Sequence, residues 1–391
     1  MLGERIRYIN SHLSALFVNQ KYLHIVCHDV PYPLDYGGVF DLFCKLKALK
    51  DAGVGIFLHC FEYGRGRQPE LNRYCEEVYY YHRNEGHKGF SVKFPYIVCS
   101  RCNGELMNNL LKDNHPILLE GIHCTYLTNN EQFAHRKIVI RLHNIEYAYY
   151  YQLYRHSGSL FKKMYYFNES RLLKKYERRL AQRYPIIAVA QKDTRIYRQK
   201  FHATHITHVP VFVPWNEIKC LEGMGTYCVY HGNLSVEENE KAAIWLIENV
   251  FNDLKVPFVI AGKNPSSRLQ KITEQKENIC LLANPADDEM KDLISKAQIN
   301  ILPSFNETGI KLKLINALFN GRHCVVNDAA VEDTGLESAC HIGTTAVALK
   351  EIVIQLYHQP FTPEEKLLRQ KILCSSYNNR LNAEKIIALI W

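Results

Sequence analysis

The sequence predicts an α/β protein built from two doubly wound domains, each a parallel sheet flanked by helices. Three observations carry this. The chain has 391 residues, too long for one ordinary domain and suited to two of about 150–200 residues each. Short β-branched or aromatic runs alternate with longer amphipathic runs, as parallel strands with crossover helices require. The alternation also occurs twice, in two series separated by an extended, proline-bearing segment.

The first series gives strands at Tyr22–His28, Val54–Cys60, Val78–Tyr81, Ile117–Glu120, Lys137–Leu142 and Ile186–Ala190. These runs are nearly continuously apolar, the pattern of parallel strands buried on both faces. Phe40–Ala52 reads as a helix, with Phe40, Phe43, Leu46 and Leu49 at helical spacing. The second series gives Tyr227–His231, Pro257–Ala261, Ile279–Leu282, Ile299–Leu302 and His323–Val326. Between them, Val209–Trp215 carries two prolines that forbid a helix. The expected division is therefore a first domain over 1–208 and a second over 209–369. A helical C-terminal segment, about 370–391, is expected to return to the first domain.

Hydrophobic residues make up 47% and charged residues 23%, a globular balance that argues against disorder. Net charge is +8. That suits an anionic ligand or an acidic membrane surface, and is too dispersed to indicate nucleic acid. The 13 cysteines, among them Cys27, Cys60, Cys228 and Cys324, lie in apolar surroundings and read as reduced, buried thiols. Cys99 and Cys102 form one CxxC pair without a second pair, a poor zinc site. No apolar run reaches the ~18 residues of a membrane span. The basic N-terminus has only a short, broken apolar stretch, so no signal peptide is expected.

Four glycine-bearing motifs follow strands, where doubly wound sheets bind ligands. After the first strand, His28-Asp29-Val30-Pro31-Tyr32-Pro33-Leu34-Asp35-Tyr36-Gly37-Gly38 leads into a helix. Paired glycines allow close backbone approach and the helix start favours phosphate, although a plain turn fits too. Tyr230-His231-Gly232-Asn233-Leu234-Ser235 precedes a helix with Lys241 near its start, either a diphosphate contact or a solvated charge. Phe258-Val259-Ile260-Ala261-Gly262-Lys263 ends a strand abruptly in Gly-Lys. The fourth block runs from Leu302-Pro303-Ser304 through Glu307, Gly309, Ile310, Lys313 and Asn316 to Gly321 and Val325-Val326. A carboxylate before a helix can accept from sugar hydroxyls while the helix start faces a diphosphate. Helix capping by Glu307 is the alternative, and the spacing favours the ligand-binding reading.

In this order, from Tyr22 to about Ile342, the motifs resemble glycosyltransferase family 4, the large retaining family with the GT-B fold. Arg141-Leu142-His143-Asn144-Ile145-Glu146 also resembles the end of an N-domain strand in bacterial members that build surface polysaccharides. The resemblance implies a GT-B protein, two Rossmann-like domains facing across a cleft. It implies a retaining hexosyl transfer from a nucleotide-diphosphate sugar to a glycan or lipid-linked acceptor. The donor would sit mainly in the second domain and the acceptor mainly in the first. No cofactor or metal would be required, in keeping with the lack of an Asp-x-Asp pair. By position, Gly37 and Gly38 would lie against the diphosphate and Lys241 would be the family's basic residue there. Glu307 would contact the transferred sugar, and Gly309 and Ile310 would offer backbone N–H groups. Gly232, Asn233, Gly262, Lys263, Lys313 and Asn316 complete the expected donor set. Glu120 and His123 lie near the family's histidine by the anomeric centre, and the choice between His123 and His143 stays open.

Two residues depart from the family: Asn233 stands where arginine or lysine is usual, and Asn316 where a second glutamate holds the ribose. A neutral amide bonds a hydroxyl less strongly than a carboxylate does. A catalytically weak nucleotide-sugar-binding paralogue therefore remains an alternative, as does a GT-B epimerase or phosphorylase. A dinucleotide oxidoreductase is disfavoured, because no G-x-G-x-x-G follows the first strand. In the transfer itself, Lys241, Lys263 and Lys313 are candidates to stabilise the leaving diphosphate; no serine or cysteine nucleophile is expected.

Phe161–Tyr184 reads as a basic amphipathic helix, with Phe161, Met164, Tyr165, Leu172, Tyr176 and Leu180 in a stripe. It fits a core-facing helix with a solvated basic face, or a helix lying on an acidic membrane. The expected location is cytoplasmic, with peripheral contact on the inner face of the membrane as a further expectation.

Overall fold

The computed structural model describes residues 20–34, 37–305 and 311–391. The chain divides into two units. One runs up to Ala188 and takes in Tyr197–Val209 and Asn379–Trp391; the other comprises Val189–Ile196 and Pro210–Asn378.

The first unit holds seven strands: β1 (Lys21–Cys27), β2 (Val54–Glu62), β3 (Glu77–His82), β4 (Ile117–Glu120), β5 (Ile138–Leu142), β6 (Ile186–Ala188) and β7 (Ile206–His208). Their order is β3-β2-β1-β4-β5-β6-β7 and every pairing is parallel. This is the doubly wound order, with its switch point between β1 and β4, where the outgoing loops part and leave a crevice. The edge strand β7 has three residues, too few to show a periodicity in the sequence.

Helix α1 (Gly37–Asp51) returns the chain from β1 to β2. Helices α2 (Glu146–His156) and α3 (Leu160–Ala181) form a hairpin after β5. The N-terminus of α2 is held by the buried Glu177 carboxylate of α3. It accepts from the Glu146 and Tyr147 N–H groups at 2.9 and 3.2 Å and from the Tyr197 hydroxyl at 3.0 Å. Burial and the neighbouring Glu146 push Glu177 up to about 8 despite those donors.

The apolar stripe expected along α3 splits in two. Tyr176 and Leu180 of the stripe are buried, and Leu173 is buried in place of the expected Leu172, which is itself half-buried. Leu160, Phe161 and Met164, in the first turns, are 78%, 87% and 73% exposed, beside the exposed Lys162 and the half-buried Lys163.

The second unit repeats the architecture with six parallel strands: β8 (Cys228–Asn233), β9 (Phe258–Lys263), β10 (Ile279–Ala283), β11 (Ile299–Ile301), β12 (His323–Val326) and β13 (His341–Ile342). Their order is β10-β9-β8-β11-β12-β13, with the switch point between β8 and β11. The two-residue β13 was not legible in the sequence. Its core gathers Tyr230, Ile260, Ile301 and Val325 from the sheet with apolar faces of α4 (Glu237–Asn249) and α5 (Leu312–Asn320). Helix α6 (Pro363–Ser376) starts in a capping box between Thr362 and Glu365, with proline in its first turn. The last helix, α7 (Asn379–Ile390), packs on α1 of the first unit, and Lys21 lies 5.2 Å from the Trp391 ring centre.

Candidate functional site

At the switch point of the first unit, charges gather where an apolar core would be expected. The β4–β5 register sets Glu120 beside Arg141, and α1 brings Asp41 and Lys45, one turn apart, over both. Lys45 Nζ lies 2.6 Å from Glu120 Oε1. The Arg141 guanidinium grips Asp41 with two nitrogens, one at 3.0 Å from Oδ1. His143 Nε2 is 2.7 Å from the second Glu120 oxygen, and its Nδ1 is 3.7 Å from Asp41.

All but His143 are fully buried; the His143 side chain is 21% exposed. Burial alone would raise Glu120, but Lys45, the His143 hydrogen bond and Arg141 hold it well below the usual carboxylate range. Asp41 is likewise held down against burial by Arg141 and Lys45. The Asp41, Glu120 and His143 ligand atoms are close enough together for a metal ion. Lys45 and Arg141 already supply two positive charges there, so the carboxylates are matched without one.

Two further histidines stand at the same sheet edge. His28 follows β1 and His123 follows β4, with ring centres 5.1 Å apart and stacked; His28 lies 6.2 Å from His143. The turn between Glu120 and His123 needs Gly121, whose φ is +82°. A Cβ there would also come within 3.3 Å of the His123 ring. Burial, then Arg101 and His143, pushes His28 down to about 3. Burial, Arg101 and His28 lower His123 as well, so both rings are neutral at pH 7. Among the described residues the buried Nδ1 atoms of both have no hydrogen-bond partner. The two histidines left open by the sequence thus differ. Both nitrogens of His143 face carboxylates, whereas the His123 ring is held by stacking.

In the second unit, Gly232 pairs with Gly262 and Asn233 with Lys263 across β8 and β9. A Cβ on Gly262 would sit 1.9 Å from the Gly232 carbonyl oxygen, so this glycine is required by strand packing. Asn233 Oδ1 accepts from the Ser235 N–H at 3.1 Å and hydroxyl at 2.7 Å, closing its own turn. Lys263 is exposed. Lys241 lies on the outer face of α4 and pairs with Glu237 at 2.6 Å, both mostly exposed, a contact worth little in stability.

Lys313 is different. It sits in the first turn of α5, largely buried, with Nζ 3.0 Å from Tyr230 Oη and 3.0 Å from Asn239 Oδ1. Its ammonium also lies 4.7 Å from the Tyr230 ring centre. Among the described residues no carboxylate forms an ion pair with it. Burial, then Lys311, pushes it down to about 8, with Glu238 opposing. The adjacent His231 is driven to about 3 by burial and by Lys313, and its Nε2 has no partner among the described residues. A buried cation next to a helix start at a switch point is suited to an anion such as a diphosphate. Asn316, one turn on, accepts from Asn320 at 2.8 Å.

The structure thus brings Glu120, His123 and His143 together with α1, the helix that Gly37 and Gly38 open. It separately brings together Gly232, Asn233, Gly262 and Lys263, with Lys313 on Tyr230 of the same strand. Lys241 stands apart from Lys313's contacts. Glu307, Gly309 and Ile310 lie outside the described residues. Asp41, Lys45 and Arg101 were not anticipated. The available signals were Arg141 inside an otherwise apolar strand, and an Asp–Lys pair four residues apart within an apolar helix.

Residues 225–359 match the family model described as glycosyl transferases group 1. With two Rossmann-like domains, that match defines the class: the protein is a glycosyltransferase of the GT-B fold. A relative in Klebsiella pneumoniae, an uncharacterised 44.6 kDa protein in the cps region, is 27% identical over 328 residues, 80% of this chain and 84% of the relative. Among solved structures, TarM superposes with a TM-score of 0.68 at 12% identity, over 95% of this chain and 99% of that one. A glycosyltransferase from Rickettsia africae ESF-5 gives 0.64 at 13% identity, over 95% and 98%. A Staphylococcus aureus TarM variant in complex with Fondaparinux, alpha-GlcNAc-glycerol and UDP gives 0.64 at 12%, over 95% and 99%. At these identities the structural likeness speaks for the fold.

Proposed function

We propose that this protein is a retaining transferase that moves a hexose-type sugar from a nucleoside-diphosphate sugar to a glycan or lipid-linked acceptor in cell-surface polysaccharide synthesis. The observation that carries the donor half is Lys313, a largely buried cation at the second unit's switch point that forms no ion pair with a carboxylate among the described residues. Support for the pathway comes from the relative in the cps region. Support for the ligand class comes from the TarM variant bound to UDP and a GlcNAc-bearing glycerol. In this reading the Lys313 ammonium stabilises charge as it builds on the leaving diphosphate. The neutral His123 ring is the histidine that meets the sugar, while Glu120 and Asp41 position His143. No metal or protein nucleophile takes part. Glu307 contacts the transferred sugar.

Thermal stabilisation by a panel of nucleoside diphosphates and their sugars tests the donor site, since a ligand of the folded state raises its stability. One base is expected to stand out, and Glu307→Ala should bind it while losing most turnover. No shift with any nucleotide, or normal turnover in Glu307→Ala, removes the assignment. A second reading, donor binding without turnover, is favoured by the Asn233 and Asn316 side chains, both engaged within their own segment. Donor stabilisation with no sugar released or transferred would decide for it.

The reading includes a cytoplasmic protein resting on the inner face of the membrane. Leu160, Phe161 and Met164 expose apolar surface beside Lys162 and Lys163, which fits an anionic lipid surface. Among the described residues no helix is long and apolar enough to cross a membrane. The protein should float with vesicles rich in phosphatidylglycerol and not with phosphatidylcholine alone. The double variant Phe161→Ser, Met164→Ser should stay at the bottom of the gradient with unchanged thermal stability. Equal flotation of both proteins would refute the contact.

A further inference from the structure

His323, His341 and Glu365 form a cluster in the second unit that the transfer reading does not use. His323 and His341 open β12 and β13, and Glu365 lies in the first turn of α6. Because the strands are parallel, the cluster sits at the sheet end opposite the switch-point crevice. His323 is buried, and its Nε2 lies 3.0 Å from the Gln359 carbonyl oxygen. A carbonyl only accepts, so Nε2 carries the proton and Nδ1 presents a lone pair. That lone pair faces Glu365 Oε1 at 3.3 Å and makes no hydrogen bond among the described residues. The same oxygen is 3.6 Å from His341 Nε2. Two lone pairs opposed beside the buried His323 ring repel unless a cation, whether metal ion or proton, stands between them.

The geometry points to a zinc site formed by His323 Nδ1, His341 Nε2 and Glu365 Oε1, with water as the fourth ligand. The three ligand atoms lie within 4.8 Å of one another. Tetrahedral bonds of about 2.0–2.1 Å place ligand atoms about 3.3–3.4 Å apart, close to the 3.3 and 3.6 Å seen here. Two imidazoles and a carboxylate suit zinc. The Gln359 carbonyl on Nε2 is the outer partner that metal-bound histidines generally have. His341 and Glu365 are about one-third exposed, which gives the ion a way in. Arg369 is the nearby opposing charge, and it is engaged by the Gly321 and Arg322 carbonyls. The ion would pin the two-residue edge strand β13 and the start of α6 to β12, a structural role independent of sugar transfer.

The test uses the full chain, stripped with chelator and titrated with zinc by calorimetry and thermal unfolding. Wild type should bind one equivalent more than Glu365→Gln or His341→Ala, and zinc should raise its melting temperature while leaving theirs unchanged. Thiol-bound zinc cancels in the comparison. Glu365→Gln keeps an acceptor for the Thr362 N–H and offers its amide to His323 Nδ1, so it should fold at least as stably as zinc-free wild type. Equal zinc stoichiometry in wild type and variants overturns the site. So does a wild type stabilised by mild acid without zinc uptake, since a proton then fills the gap.

Discussion

Glu120→Ala should destabilise the first unit by about 3–5 kcal/mol, the usual cost of stripping one partner from a buried ion pair. The alanine would leave Lys45 with Asp41 alone at 3.7 Å, and Asp41 is already gripped by Arg141. His143→Ala should cost far less, because that ring is partly exposed and Glu120 keeps Lys45. Denaturant midpoints of the three proteins check this, and a Glu120→Ala variant within about 1 kcal/mol of wild type would show that the cluster is not what holds the β4 and β5 ends. The cluster also has a defined acid response. Glu120 and Asp41 have folded values below their unfolded values of about 4. Their stabilisation is therefore fully present above that pH and is lost as pH falls through the lower folded values. Lost activity in Glu120→Ala thus reports on the fold before it reports on catalysis, and His123→Ala is the cleaner probe of a sugar contact.

Lys313→Met should weaken nucleoside-diphosphate binding about 10–100-fold at pH 7, the range of a charge-assisted hydrogen bond. The wild-type affinity should also fall as pH rises through about 8, where the ligand-free lysine loses its charge. The methionine variant should show a flat profile above pH 7, where the diphosphate is fully ionised. A second readout needs no ligand. The folded value of about 8 lies below the unfolded value of about 10.4. Between them the folded protein binds fewer protons than the unfolded one, so stability gains from this residue as pH rises across that window. The variant lacks that gain. Titration calorimetry from pH 7 to 9.5 supplies the first result and denaturant melts the second. Unchanged affinity with the stability signature intact would keep the buried charge and remove its role in the donor site.

Much of the fold was readable because parallel strands buried on both faces leave long apolar runs. Ile117–Glu120 and His323–Val326 match their strands residue for residue. What escaped were edge strands of two or three residues, where pairing is decided by neighbours far away in the chain. The candidate site was legible where a polar residue ends a strand, as with Glu120, His123 and His143. It was opaque where partners come from different elements. Nothing near Asp41 or Lys45 in the chain says that Arg141 and Glu120 will meet them. Lys241 and Lys313 look alike in sequence, and only burial separates a solvated helix charge from one held against Tyr230. The stripe on α3 has helical spacing throughout, but spacing does not tell which half finds a neighbour.

The last helix has a consequence for how the molecule is made. Residues 379–390 complete a unit whose other parts are almost all synthesised before residue 210. A ribosome therefore delivers every residue of the second unit while the first still lacks the helix that covers α1. The unit begun first is finished last, and a chaperone that shields α1 during translation would have to wait for nearly the whole chain to emerge.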